Sequence, residues 1–183
     1  MTQPAPSDPR PFESEKPPLF MDHLPPGGWP RGTMLLSWFG LGMINRAPGT
    51  LASLGCLPYA AIIVWLGGRY ALMAAAVLAF VLGYFFVKLF ERRAGGLDDP
   101  QWIVIDEVAA QWATLTVVPL DFVWYVLGFA LFRLFDITKP WPVSWADRKP
   151  TTFGLMVDDL LAAVYAGAVL WAVRYAWITW VAA

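Results

Sequence analysis

Apolar residues run through this chain in blocks of roughly membrane length, and polar residues collect between the blocks. Thr33 to Ile44 is apolar but short and contains Gly40 and Gly42. At about 1.5 Å per residue it falls well short of a ~30 Å hydrocarbon core, so it predicts an interfacial or re-entrant segment. Asn45 to Thr50 breaks it. Leu51 to Gly67, with Pro58 inside, predicts a first span, and Gly67-Gly68-Arg69 a tight turn. Tyr70 to Phe90 is the clearest span, without a charge before Lys88. Along it Ala75, Ala79 and Gly83 recur every four residues, a small-residue spacing that lets membrane helices approach closely. A polar loop, Glu91 to Pro100, follows.

Ile103 to Val118 predicts a third span, and Pro119-Leu120-Asp121 turns the chain. Phe122 to Phe135 returns, Thr138 to Val157 is a polar, Pro-rich loop, and a last span starts at Asp158-Asp159 and runs to about Val181. The expected fold is therefore all-α, a compact multi-pass membrane bundle with about four transmembrane spans and one short re-entrant or interfacial helix. Residues 33–183 form a single membrane-embedded domain in this reading. Residues 1–32 are a solvated, disordered tail, since nine of the sixteen prolines lie in the first thirty positions and no apolar core of signal-peptide length is present.

Orientation follows from the basic loops. Lys88, Arg92, Arg93, Arg133, Lys139, Arg148 and Lys149 fall on one side, and only Arg69 and Arg174 on the other. The positive-inside rule makes the basic side cytoplasmic. Trp65, Tyr70, Trp124, Tyr125, Tyr175, Trp177 and Trp180 then form an interfacial belt on the far side. In this threading Asp106-Glu107, Asp136 and Asp158-Asp159 all arrive at the cytoplasmic end.

Composition narrows the chemistry. The chain is 58% hydrophobic and 15% charged, where a soluble domain carries about 25% charged residues. A net charge of −1 gives no electrostatic basis for nucleic-acid binding. The single cysteine, Cys56, excludes an internal disulfide and a Cys-rich zinc site. Ile62 stands six residues after it, where a thiol phosphatase loop needs Arg. The single histidine, His23, lies in the Pro-rich leader, so no histidine is available to a folded site. Carboxylates, Arg, Lys, hydroxyls and a metal remain.

The two acidic doublets suit a hard cation such as Mg2+, which takes oxygen ligands. Neighbouring helical residues diverge by about 100°, so one member of each doublet is expected to face the ion and the other to support it or act as base. Acids in a first helical turn also complement the helix dipole, which is the plain structural alternative. Arg133, Asp136 and Lys139 are spaced three apart and would share a helix face, either as an ion-pair ladder or as neutralisers of a phosphate. Pro48-Gly49-Thr50, with Ser53, opens a helix after a turn and offers backbone N–H groups and hydroxyls to an anion.

Four blocks together carry a specific resemblance: Gly40-Leu-Gly42 with Ala47-Pro-Gly-Thr-Leu-Ala-Ser53, Val104-Ile-Asp-Glu107, Phe132-Arg-Leu-Phe-Asp-Ile-Thr-Lys-Pro140, and Gly154-Leu-Met-Val-Asp-Asp159. In order and spacing the chain resembles phosphatidylglycerophosphatase A from about Leu35 to Ala172. The resemblance implies a Mg2+-dependent enzyme of the bacterial inner membrane, with its site on the cytoplasmic side. Its lipid substrate would be phosphatidylglycerophosphate, converted to phosphatidylglycerol and phosphate. It also implies metal ligation by Asp106, Glu107, Asp158 and Asp159, and catalytic roles for Asp106, Glu107, Arg133, Asp136 and Lys139. Ala110 and Thr152 stand where the family commonly has Gly. In the expected chemistry either a metal-activated water or a carboxylate nucleophile attacks phosphorus. Two rivals are a CDP-alcohol phosphatidyltransferase, whose signature fails because Pro100 follows Asp98-Asp99, and an ion or proton carrier, whose acids would sit nearer the midplane.

Overall fold

The structure is a computed structural model and describes residues 32–44, 46–94 and 100–180. The expected tail therefore lies outside the described residues apart from Gly32, as do Asn45, most of the loop between Glu91 and Pro100, and the last three residues. Among the described residues all regular structure is helical. The helices are α1 (Thr33–Leu36), α2 (Pro48–Gly55), α3 (Leu57–Ala94), α4 (Ile105–Leu115), α5 (Phe122–Thr138), α6 (Val143–Asp147) and α7 (Thr152–Trp180).

Between α1 and α2 the chain is compact and irregular. Trp38, Phe39 and Gly40 all take positive φ, and a single 3-10 turn follows at Leu41–Met43. Leu36 and Trp38 are buried, and the Trp38 ring meets Trp112 and Tyr59 edge-on. The Leu36 carbonyl accepts the Val104 N–H at 2.8 Å, which pins the lead-in to α4 against this segment.

Cys56, between α2 and α3, keeps right-handed helical angles, and its N–H and C=O still bond to Ala52 and Ala60. Residues 48–67 thus form a nearly continuous rod of about 30 Å. The rod stops at Gly68, where φ is 72° and ψ −176°, a conformation that only glycine adopts easily. A Cβ on Gly67 would stand 2.7 Å from that of Ala71, whereas residues four apart on a straight helix are about 5–6 Å apart. The chain therefore bends sharply where the turn was expected. Beyond it, Leu72, Ala76, Ala79, Gly83, Val87 and Phe90 recur at three- and four-residue steps and form the buried face of α3. Gly83 serves the close approach: a Cβ there would lie 2.8 Å from Ile105 and 3.1 Å from Met156.

Helix α4 is the centre of the bundle and packs on α2, α3, α5 and α7. Nine of its eleven residues are buried. It is about 16 Å long, so the expected third span is instead a short core helix. Its far end is closed by Arg174, whose guanidinium donates to the Val117 carbonyl at 2.9 Å. Asp121 caps α5 by accepting from the N–H groups of Val123 and Trp124. Tyr125, expected in an interfacial belt, is buried in the core. Trp65, Tyr70, Tyr175, Trp177 and Trp180 are exposed.

The loop expected at Thr138 to Val157 contains α6 and the first turns of α7, so Asp158-Asp159 lies in the second turn of its helix. The Gly154 N–H is capped by the Thr151 hydroxyl at 3.2 Å. Thr152 is fully buried and donates to Glu91 at 2.6 Å, and Glu91 also accepts from Lys88. This side-chain network ties the start of α7 to the end of α3.

Among the described residues, two stretches are long and apolar enough to cross a membrane, Pro48–Arg93 and Thr152–Trp180. Their outward faces are apolar too: Val77, Leu78, Val81 and Phe85 on α3, and Val164, Trp171 and Ile178 on α7, are all exposed. A surface helix in water carries its charges on such a face.

Candidate active site

Asp106 and Glu107 occupy the first turn of α4, and Asp159 faces them from α7. One carboxylate oxygen from each of the three lies within 4.8 Å of the other two. Asp106 and Asp159 are buried and Glu107 is half-buried. Three like charges at this range repel strongly in a poorly solvated interior. Rigid helices hold them together, and a cation or shared protons must offset the repulsion.

The doublets divide differently from the expectation of one inward-facing member each. Both Asp106 and Glu107 reach the cluster. The extra methylene of Glu107 makes up for the angular divergence, while Asp106 folds back to accept its neighbour's N–H at 3.0 Å. The second doublet does split. Asp159 faces the cluster, and Asp158 accepts from the Lys139 ammonium at 3.0 Å. Glu107 Oε2 and Asp158 Oδ1 are buried oxygens without a protein hydrogen-bond partner among the described residues. In folded proteins nearly all such atoms are satisfied. An all-oxygen donor set with unsatisfied buried oxygens fits a hard divalent cation.

Two cations flank the acids. Arg133 pairs with Asp136 one turn along α5. Lys139 does not continue that helical face: α5 ends at Thr138, and Lys139 is its left-handed C-cap at φ 44°. From there its side chain turns across to Asp147 and Asp158. Burial alone would lower the Lys139 pKa, but Asp147 and Asp158 more than reverse this and hold it above the ordinary lysine range. The triplet thus gathers at one place by a bend in the chain.

The expected anion cradle is only partly present. Gly49 lies so close to the acids that a Cβ there would overlap Glu107 Oε1 and stand 3.2 Å from Arg133 Nη1. Pro48 borders the same space. Ser53, however, is fully buried and donates its hydroxyl to the Gly49 carbonyl at 2.7 Å, so it braces the helix. Thr50 is half-buried and does not line the cavity.

Asp106, Glu107, Asp136, Lys139, Asp158 and Asp159 line a cavity of about 590 Å³, while Arg133, paired with Asp136, is not among its lining residues. Five further polar residues line it that the sequence did not single out as site residues: Gln101, Asp147, Arg148, Lys149 and Thr151. The Asp-Arg-Lys run sits between two motif blocks, and that adjacency was the available signal.

The motif order that first suggested a family has an independent counterpart. Residues 34–174 match the profile of phosphatidylglycerophosphatase A. The chain is 38% identical to phosphatidylglycerophosphatase A of Haemophilus influenzae over 144 residues, covering 78% of this chain and 88% of that protein. It is 32% identical to phosphatidylglycerophosphatase A of Escherichia coli over 147 residues, covering 79% and 84%. A protein of Bacteroides thetaiotaomicron named putative phosphatidylinositol-3-phosphatase is 34% identical over 137 residues, covering 69% and 83%. No solved structure matches the chain. With the acids, the two cations and the membrane-length helices in place, the chain belongs to the phosphatidylglycerophosphatase A family of lipid phosphatases.

Proposed function

We propose that the chain removes the phosphomonoester of phosphatidylglycerophosphate at this cavity with Mg2+ held by Asp106, Glu107 and Asp159, and with Asp158 in support. The observation that carries the reading is the convergence of three carboxylate oxygens within 4.8 Å beside the cavity that Lys139 lines. Bound there, the cation would polarise a phosphoryl oxygen and withdraw charge from the phosphate.

The chain's own groups supply the rest. Arg133 presents a planar fork suited to two phosphoryl oxygens, and Asp136 holds that fork in place. Lys139 contributes a point charge, and Asp158 and Asp147 aim it. Glu107 Oε2, without a hydrogen-bond partner among the described residues, is the acceptor for the proton that an attacking water must lose. Glu107 then returns that proton to the ester oxygen, which leaves as the lipid alcohol, and the phosphoryl group, bonded to the water's oxygen, is released as phosphate.

Four rods are proposed to cross the bilayer: residues 48–67, residues 69–94, α7 and the shorter α5, at about 25 Å. Helix α4 would be buried among them, and the segment at 33–44 would lie at the interface. The basic residues around the cavity support a site on the cytoplasmic face of a bacterial inner membrane, by the positive-inside rule. Phosphate release from phosphatidylglycerophosphate by detergent-solubilised protein tests the proposal. Release is expected with Mg2+ and none in excess chelator; equal release in both ends the metal assignment. Phosphatidylinositol 3-phosphate, assayed in parallel, measures headgroup selectivity.

A further inference from the structure

The cations around the cavity form two sets. Arg133 and Lys139 are engaged with acids of the site. Arg148 and Lys149 also line the cavity, but neither makes an ion pair among the described residues. The Arg148 side chain is exposed and has no hydrogen-bond partner there. Asp147, the nearest acid in sequence, is already taken by Lys139. The Lys149 ammonium sits 3.6 Å from the centre of the Trp145 ring, a contact that orients it without neutralising it.

The segment carrying these two residues is built to hold a shape. The Lys149 N–H bonds to the Ala146 carbonyl at 3.0 Å, and the Thr151 N–H to the Lys149 carbonyl at 2.7 Å. Gly154 lies against both of those carbonyls so closely that no Cβ fits, and Ala146 and Val143 beneath are buried. Two uncompensated positive side chains are therefore carried on a braced backbone at the wall of an acid-lined cavity. That is an arrangement for an anion other than the one the inner cations hold.

We propose that Arg148 and Lys149 form a second anion subsite, which binds the phosphodiester linking the headgroup to the lipid. This rests on the function proposed above. Such a substrate carries two anionic phosphorus centres, a terminal monoester and an internal diester, joined by a glycerol bridge. With the monoester at Arg133 and Lys139, the diester lies further out along the same cavity. Arg148 offers it a two-pronged donor and Lys149 a point charge. The subsite selects a phosphomonoester that is attached through a diester over a bare phosphate.

The test uses full-length protein in neutral detergent micelles, with Arg148→Gln, Arg148→Lys and the Arg148→Gln/Lys149→Gln pair. Initial rates are measured against the mole fraction of phosphatidylglycerophosphate, and inorganic phosphate is titrated as a competing inhibitor. Arg148→Gln is expected to raise KM about fivefold, the size of one solvent-accessible ion pair, with kcat within twofold and the inhibition constant for phosphate unchanged. The double variant raises KM further, and Arg148→Lys recovers part of the loss. An unchanged KM overturns the proposal, as does a parallel rise in KM and in the phosphate inhibition constant. A defect that appears only when phosphatidylserine is added to the micelles assigns the pair to bulk anionic lipid and also overturns it. A wild-type protein inactive on phosphatidylglycerophosphate overturns the underlying function, a result that the variants' behaviour cannot mimic.

Discussion

Adding one methyl group at Gly49 should disable the site while leaving the fold intact. A Cβ at this position would overlap Glu107 Oε1, stand 3.0 Å from its carboxyl carbon and come within 3.2 Å of Arg133 Nη1. Gly49 lies in the first turn of α2, at right-handed angles, so Ala suits the helix better than Gly by about 0.5–1 kcal/mol. Local propensity thus favours Gly49→Ala, and the only loss is the fit against Glu107 and Arg133. To make room, the Glu107 carboxylate must retreat by the better part of an ångström, away from Asp106 and Asp159. Displacements of that size at a catalytic group lower rates on the order of 100-fold. Gly167→Ala is the matched control, because nothing lies within 4 Å of a Cβ there. The assay pairs phosphate release from phosphatidylglycerophosphate with thermal unfolding in the same detergent. Gly49→Ala is expected to lose about two orders of magnitude in kcat with Tm unchanged or raised, and Gly167→Ala to keep both. A Gly49→Ala enzyme within twofold of wild type would refute the claim that Glu107 must stay where this backbone lets it lie. A matching collapse in Tm would refute the separation of fit from fold.

The remaining predictions concern the acids, the fork and the topology. Asp159→Asn should lower turnover about 100-fold and raise the Mg2+ concentration for half-activity, whereas Asp158→Asn, which unties Lys139, should act mainly on KM; a metal titration of both variants separates the two, and identical profiles would show that the doublet is not divided. Arg133→Lys keeps the charge but loses the fork, so kcat should fall at least tenfold while the Mg2+ dependence of the residual rate stays put. In intact cells, with Cys56 replaced by Ala, an impermeant thiol reagent should label Arg69→Cys and leave Arg93→Cys unlabelled; the reverse pattern would turn the protein over and move the cavity to the outer face.

The sequence carried the helical class and the acids because both depend on local facts. Apolar runs, Pro119 and the glycines at 67 and 68 mark breaks that any packing must respect. The sharp bend at Gly68 and the tight seat of Gly83 against Ile105 follow from the same small residues that drew attention in the sequence. Helix lengths were less legible. Ile103 to Val118 is largely apolar apart from Asp106, Glu107 and Gln111, and hydropathy does not distinguish lipid from protein as the surroundings of an apolar side chain. Only the packing of α4 on four other helices shows which it is. Tyr125 was misplaced for the same reason.

Side-chain aim depends on groups distant in sequence, and here the site departs from its pattern. A periodicity argument places Arg133, Asp136 and Lys139 on one helical face, yet Lys139 arrives at the cavity because α5 has already ended. Its partner, Asp158, lies nineteen residues on, and no spacing rule could have paired them. That pairing in turn leaves Asp159 as the member of its doublet that joins Asp106 and Glu107. Ser53 follows the opposite course: its hydroxyl satisfies the Gly49 carbonyl, which stiffens the backbone that crowds Glu107. A residue expected to hold an anion therefore acts one step back, on the glycine that positions a carboxylate. If so, Ser53→Ala should weaken activity in the same direction as Gly49→Ala but by far less, because it loosens that backbone without placing an atom in the way.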